Sequence, residues 1–296
     1  MGSIIPHFLF GNTYSIIIQR GNKMKKSIFV ITLLISLMPL LGLLTGCGQV
    51  PLTGRKQMII VSDADMLALG DQQYKEILSK SQINQDQNKY QMVVRVGNRI
   101  TGAVDSFLKQ NGLSDYTAGY KWEFNLIQDD NTVNAFCLPG GKIAVYSGII
   151  PVAKNDTGLA VVMSHEIAHA LAKHGAERLS QVLLVQYGGA SLSDALKQQP
   201  AETQKYMMLA FGIGANVGVL LPYNRLQEKE ADRIGLAIMA RAGYDPHEAL
   251  SFWERMEKLE SGAPPEFLST HPATTERIKE IQAEIPEAMK YYKQVK

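Results

Sequence analysis

The segment His-Glu-Ile-Ala-His places two imidazoles and a carboxylate within five residues, from His165 to His169. Residues four apart lie on one face of an α-helix, so both imidazoles can direct a ring nitrogen at a single point. Two neutral imidazoles favour Zn²⁺, and Glu166 is near enough to act on a water molecule beside the metal. The motif predicts metal-assisted hydrolysis. Because HExxH also arises by chance, ordinary polar residues on a helix remain the alternative.

A second pair of acidic residues at helical spacing follows in the segment NRLQEKEADRIG. Glu228 and Asp232 are four residues apart, so they share one helical face. This spacing lets Glu228 bind zinc while Asp232 accepts a hydrogen bond from the far nitrogen of a ligand histidine, which fixes the ring. Glu230 is expected on another face, in solvent. The predicted ligands of one zinc ion are therefore His165, His169 and Glu228.

The elements that must position these residues are mostly helical. The motif lies in a segment predicted to be a buried helix capped by Asp156 or Thr157, because its other positions are apolar. Polar groups on such a helix need partners, since unpaired burial costs several kcal/mol. Two more helices are predicted before it, and two strands in KWEFNLIQ and KIAVYSGII flank a turn-rich connection. The predicted fold class is α+β, with a small sheet beside the motif helix. The apolar positions are Leu159, Val161, Val162, Met163, Ile167 and Leu171.

Five segments, in order, resemble the gluzincin metallopeptidases of the HtpX, CAAX-prenyl endopeptidase and Oma type. They are PLTGRKQMIIVS, VNAFCLPGGKIAVYSGII, SHEIAHALAKHGAERLS, LLPYNRLQEKEADRIGLAIMARAGYDP and STHPATTERI. The resemblance covers roughly Pro51 to Ile285 and is greatest to the soluble exported branch, the BepA- and LoiP-like lipoproteins. Because few residues follow Ile285, the tetratricopeptide array of BepA-like members is not expected. The resemblance implies one zinc per chain and a zincin-like fold.

The resemblance also implies roles for individual residues. Glu166 is the implied catalytic base, and His271 is implied to be an oxyanion donor or a movable extra zinc ligand that blocks the resting site. From the sequence alone, a histidine before proline is equally an ordinary turn residue. Arg277 is a candidate support for the same site, although a solvated helix face is the favoured expectation. His174, five residues after His169, is expected on the surface.

An extended substrate must lie across the metal. The resemblance implies that Asn134 and Ala135 hold its backbone. The following segment GGKIAVYS is a candidate edge strand that pairs with the substrate through main-chain hydrogen bonds. The alternative is a plain core hairpin.

The N-terminal residues have the pattern of an export signal. Residues 24–46 hold a basic start, an apolar run and the small residues before Cys47, which together resemble a bacterial lipobox. We therefore expect lipidation of Cys47, a tether over residues 47–60 and a peptidase domain over 61–296, with residues 1–23 a non-native extension before Met24. The alternative is an uncleaved anchor helix.

The expected function is a lipid-anchored, extracytoplasmic zinc endopeptidase. The resemblance implies misfolded or unassembled envelope proteins as its polypeptide substrates and allows envelope-assembly machinery as a partner. Gly48 favours the outer membrane, facing the periplasm, if the organism has two membranes.

The net charge of +2, without a basic cluster beyond the N-terminus, gives no support for nucleic-acid binding. The alternative function is a chaperone or assembly factor with a structural or plugged zinc site.

Overall fold

The computed structural model describes residues 47–198, 200–211, 224–259 and 265–293. The predicted extension and signal, residues 1–46, lie outside these ranges. Within the described ranges, no helix combines the length and the apolar character needed to cross a bilayer. Residues Gly48–Lys296 form one compact unit.

The chain begins with a small ribbon and two long helices. Strand β1 (Cys47–Gln49) pairs with β2 (Lys56–Met58). Helix α1 (Asp63–Lys80) follows, and its N-cap is Ser62, whose side chain accepts from the Asp65 N–H. Helix α2 (Gln87–Gln110) buries an apolar stripe. The stripe consists of Val93, Val96, Ile100 and Val104.

Three strands form the sheet beside the site. They are β3 (Glu123–Ile127), β4 (Ala135–Leu138) and β5 (Lys142–Tyr146), in the order β3-β5-β4. Strand β5 runs parallel to β3 and antiparallel to β4. The two predicted strands are confirmed, but GGKIAVYS is not an edge strand, because β5 is hydrogen-bonded on both sides. The edge that faces the site belongs to β4, in the segment predicted as a turn-rich connection.

The rest of the described chain is helical, as predicted. The helices are α3 (Ile150–Ala153), α4 (Asp156–Leu171), α5 (His174–Tyr187), α6 (Leu192–Gln198), α7 (Pro200–Ala210), α8 (Asn224–Arg241), α9 (Glu248–Leu259), α10 (Glu266–Thr270) and α11 (Thr275–Lys293). The α+β prediction, a mostly helical domain with a small sheet against the motif helix, is confirmed.

Helix α4 is the centre of the core and carries the HExxH motif. Of its 16 residues, 13 are buried. Its N-cap is Asn155, one residue before the predicted caps, because the Asn155 side chain accepts from the N–H groups of Thr157 and Gly158. Helix α4 packs on α2, α8, α9 and β4, and α8 is its principal neighbour.

Gly235 on α8 permits the close approach of α8 to α4. A Cβ atom at this position would lie 3.2 Å from both the N and Cα atoms of His165. The two helix backbones are therefore nearly in contact at the first histidine of the motif. This contact sets the distance at which the acidic residues of α8 face the histidines of α4.

Candidate metal centre

Four buried side chains from three elements converge at one point: His165 and His169 from α4, Glu228 from α8, and His271 just after α10. The Nε2 atoms of His165 and His169 are 3.1 Å apart. Glu228 oxygens lie 3.3 Å from the first Nε2 atom and 3.2 Å from the second. Four tetrahedral ligands at about 2.0–2.1 Å from zinc are separated by roughly 3.3–3.4 Å from each other. The three predicted ligands therefore fit the edges of a zinc tetrahedron.

His271 lies at the fourth vertex. Its Nδ1 atom is 3.1 Å from His165 Nε2 and 2.8 Å from Glu228 Oε2. Helix α10 ends directly before this residue, because Pro272 follows and does not permit a further helical turn. The histidine is thus held at a helix end, where its ring points into the cluster.

The cluster favours a positive charge. Burial opposes a proton on His165, but Asp232 and Glu228 outweigh burial and raise the pKa of His165 to about 9. Burial keeps the pKa of His169 well below its usual value, so this ring is neutral, as a zinc ligand must be. Burial also disfavours the Glu228 carboxylate, but the neighbouring His271 and His169 rings and the Arg277 guanidinium lower its pKa well below the usual value. A bound zinc ion would displace the His165 proton, and the buried anion and imidazole nitrogens that remain are a donor set that suits it.

Glu166 lies beside the cluster as predicted. Its side chain is buried, and within the described residues its Oε1 atom has no hydrogen-bond partner. His271 Nε2 is the near neighbour, 3.4 Å from this oxygen. Burial raises the pKa of the Glu166 carboxyl, which increases its affinity for a proton. An unpaired, buried oxygen of this kind is suited to accept a proton from water.

Asp232 supports His165, and Arg277 supports Asp232. Asp232 Oδ1 lies 3.0 Å from His165 Nδ1, although the N–H direction is poorly aligned. Arg277 binds both Asp232 oxygens at 2.8 Å and reaches Glu228 Oε2 at 3.1 Å. Its guanidinium also lies 3.7 Å from the centre of the Trp253 ring. The expectation of a solvated Arg277 is therefore wrong, because α11 turns this face toward α8.

His174 and Glu230 were expected in solvent, and both are buried. His174 Nδ1 lies 2.8 Å from His169 Nδ1, and its Nε2 lies 3.0 Å from Glu230 Oε2. The helix of the motif ends at Leu171, and Lys173 adopts a left-handed φ of 52°. His174 is therefore not at helical spacing from His169. It lies on the first turn of α5, where its side chain faces His169. Burial lowers the pKa of His174, so this ring is neutral.

A cavity of about 520 Å³ opens beside the cluster and reaches the β4 edge. Its wall includes Glu166, His169 and His271, and the remainder is largely apolar. Asn134 does not present a free amide oxygen to this space, because its Oδ1 accepts from the Ala135 N–H at 2.9 Å. The apolar wall includes Met66, Tyr116, Tyr120, Pro139, Val182 and Phe211.

Comparison with known proteins places this constellation in a family. The sequence profile of Peptidase family M48 matches residues 98–285. The chain belongs to peptidase family M48. It is 34% identical to mitochondrial metalloendopeptidase OMA1 of Saccharomyces cerevisiae, over 84% of this chain and 72% of the relative. It is 34% identical to the same enzyme of Schizosaccharomyces pombe, over 82% and 68%. A putative beta-barrel assembly-enhancing protease of Vibrio cholerae is 34% identical over 52% of this chain and 33% of its own length.

Membership of M48 confirms the predictions of a zinc cofactor and of a metalloendopeptidase. The relatives include mitochondrial enzymes as well as β-barrel assembly-enhancing proteases, so they support the family and not the lipoprotein branch in particular. The tether residues Thr53 and Arg55 precede the M48 match, yet both contact Glu230 of α8. Sequence reasoning missed them because Arg55 and its two carboxylate partners are 122 and 175 residues apart along the chain.

Proposed function

We propose that this M48 enzyme holds zinc through His165, His169 and Glu228 and uses Glu166 as the base in peptide-bond hydrolysis. The observation that carries this proposal is the convergence of the three ligand side chains beside the unpaired oxygen of Glu166. The two Nε2 atoms are 3.1 Å apart, and Glu228 Oε2 and Oε1 lie 3.3 Å from His165 Nε2 and 3.2 Å from His169 Nε2, respectively. A purely structural zinc site has no need of a buried carboxylate without a partner.

Zinc, when bound, supplies a Lewis acid that polarises the scissile carbonyl and lowers the pKa of water toward neutrality. Glu166 accepts a proton from the attacking water and later delivers it to the leaving amine nitrogen. Asp232 holds the His165 ring, and Arg277 holds Asp232. These contacts keep the ligand nitrogens converged while the proton is transferred.

His271 blocks the site in the resting enzyme in our proposal. Its Nδ1 atom lies 3.1 Å from His165 Nε2 and, with zinc bound, would occupy a position that the attacking water needs. A rotation about its own side-chain bonds would remove the ring from this position and make it available to donate a hydrogen bond to the developing oxyanion. The two predicted roles, extra ligand and donor, then belong to two positions of one side chain.

The substrate is proposed to add to the free edge of β4. Phe136 pairs with Ala144 of β5, and Ala135 and Cys137 alternate with it along the strand. In an antiparallel pair, alternate residues turn their backbone groups away from the partner, so Cys137 and the Ala135 carbonyl are open to a substrate. Asn134 acts indirectly, because it occupies the Ala135 N–H.

The physiological substrates are proposed to be misfolded or unassembled envelope proteins, with envelope-assembly machinery as a partner. The two relatives described as β-barrel assembly-enhancing proteases, 34% and 26% identical, support this.

The proposed location is extracytoplasmic, in the outer membrane facing the periplasm if the organism has two membranes. It depends on the signal pattern in residues 24–46 and on lipidation of Cys47. A Cys47→Ser chain should lose lipid labelling and leave the membrane fraction, whereas Cys137→Ser should behave as the parent.

The decisive experiment is zinc analysis with casein cleavage for the full chain and its Glu166→Gln variant. We expect one zinc per chain in both proteins and cleavage only by the parent. Full cleavage by the variant would remove Glu166 from the mechanism. Zinc in both without cleavage in either would favour the chaperone alternative, with His271 as a permanent plug.

A further inference from the structure

Glu230 joins the N-terminal tether to the metal centre. Arg55 Nε donates to Glu230 Oε2 at 2.6 Å, and the Thr53 hydroxyl donates to Oε1. The other end of the Arg55 guanidinium binds both oxygens of Glu177 at 2.8 Å. Arg55 thus bridges a carboxylate of α5 and one of α8, both buried. On its far side, Glu230 Oε2 faces His174 Nε2 at 3.0 Å.

The protons along this path have one consistent arrangement. If His169 binds zinc through Nε2, its Nδ1 atom carries a hydrogen and donates to His174 Nδ1 at 2.8 Å. His174 then carries its hydrogen on Nε2 and donates it to Glu230. Each donor meets an acceptor, so the position of Glu230 determines the orientation of both rings.

Arg55 in turn determines the position of Glu230. Glu230 is a buried anion, and Arg55 is the cation in contact with it. Without the guanidinium, Glu230 would be buried without a counter-ion, and its side chain would no longer be held against His174. His174 would then lose the acceptor that it needs, and the disturbance would pass to the ring of His169.

Each of the two ligand histidines is therefore supported by its own series of contacts, and each series ends at an arginine. His165 is held by Asp232 and Arg277, and His169 is reached through His174 and Glu230 from Arg55. We propose that Arg55 and His174 are positioning residues for the zinc site, which makes the tether segment before the M48 match part of the catalytic apparatus. This inference rests on the proposed function, specifically on His169 as a zinc ligand.

Zinc affinity is the direct test, because it requires no turnover. The full chain and its Arg55→Met and His174→Phe variants are titrated with zinc against a chromophoric chelator, and the absorption spectra of their cobalt(II) forms are recorded. We expect His174→Phe to weaken zinc binding roughly 10- to 100-fold and to alter the cobalt spectrum. Arg55→Met should weaken it in the same direction by a smaller factor, because it acts through two intermediates.

Arg255→Met is the matched control. Arg255 is as buried as Arg55, 18% against 17% exposed, and also joins a carboxylate, Glu248, to a distant segment at Val152. Its hydrogen bonds to Val152 and Glu248 involve no zinc ligand, so zinc affinity should be that of the parent even if thermal stability falls. Unchanged affinity and cobalt spectra in Arg55→Met and His174→Phe, with reduced stability alone, would assign both residues a merely structural role.

A double-mutant cycle tests the path itself. If Arg55 acts through His174, Arg55→Met should have no further effect on zinc affinity in the His174→Phe background. An equal effect in both backgrounds would overturn the proposal. His169→Ala distinguishes failure of the proposed function from failure of this inference. Parent-like zinc affinity in that variant would refute His169 as a ligand. Arg55→Lys and His174→Gln replace any variant that does not fold, and the same criteria apply to them.

Discussion

The ion pair between Arg277 and Asp232 should contribute far more to stability than another pair of the same geometry. Arg277 binds the two Asp232 oxygens at 2.8 Å with Nε and Nη2, and its side chain is 7% exposed. Arg95 binds the two Asp156 oxygens with the same atoms at 2.8 and 2.7 Å, but its side chain is 53% exposed. The carboxylate contacts are therefore the same in the two pairs, whereas Arg277 is buried and also contacts Glu228 Oε2 at 3.1 Å and the Trp253 ring.

Removing one partner of a buried ion pair leaves an uncompensated charge and costs about 3–5 kcal/mol. In Arg277→Met, Asp232 keeps His165 Nδ1 at 3.0 Å, and the pKa of about 9 lets His165 retain a proton at pH 7 in the metal-free chain. The expected loss in the free energy of unfolding is therefore near the lower end of this range, about 3 kcal/mol. Arg95→Met should cause no measurable change, because water compensates the exposed Asp156 carboxylate.

The assay is guanidinium unfolding of the full chain at pH 7 with a chelator present, which compares the free energy of unfolding without zinc. Asp232→Asn combined with Arg277→Met should recover part of the loss, since the Asp232 carboxylate is then no longer buried without Arg277. Equal effects of Arg277→Met and Arg95→Met, or a double variant less stable than the single one, would refute the reasoning.

Three further outcomes follow from the site. His271→Ala should still bind one zinc through the three other ligands, but its cobalt(II) spectrum should change; an unchanged spectrum would show that His271 is not a ligand. Gly235→Ala should cost about 1–3 kcal/mol of stability, because the added methyl group lies 3.2 Å from the His165 backbone. Gly102→Ala, a helical position with no atom within 4 Å of the added Cβ, should instead raise stability by up to about 1 kcal/mol. Chelation should abolish casein cleavage and added zinc should restore it; cleavage that persists without metal would contradict the mechanism.

Local patterns were enough to predict the ligand faces. The i,i+4 spacings of His165 with His169 and of Glu228 with Asp232 are properties of single helices, and the structure brings these four side chains together. The apolar character of α4 likewise predicted its burial. These inferences required no knowledge of which elements are neighbours.

The errors concern contacts between elements distant in sequence. Glu230 does lie on a different face of α8 from Glu228, but that face is covered by Arg55 and not by water. Arg277 is buried because α11 packs on α8. Alternation within a strand cannot give the order of strands either, and the candidate edge strand β5 lies instead between β3 and β4. Periodicity predicts which face a residue occupies but not what covers that face.

Helix α8 determines the geometry of the whole site. It supplies the ligand Glu228, the Asp232 carboxylate beside His165 and the Glu230 carboxylate that reaches His169 through His174. A rigid displacement of α8 against α4 would therefore move one ligand and both supports at once. Gly235 fixes that displacement by backbone contact, and arginines outside both helices contact all three carboxylates. The HExxH motif by itself does not define the site, because its two rings are oriented by residues of α5, α8 and α11 and by Arg55 of the tether.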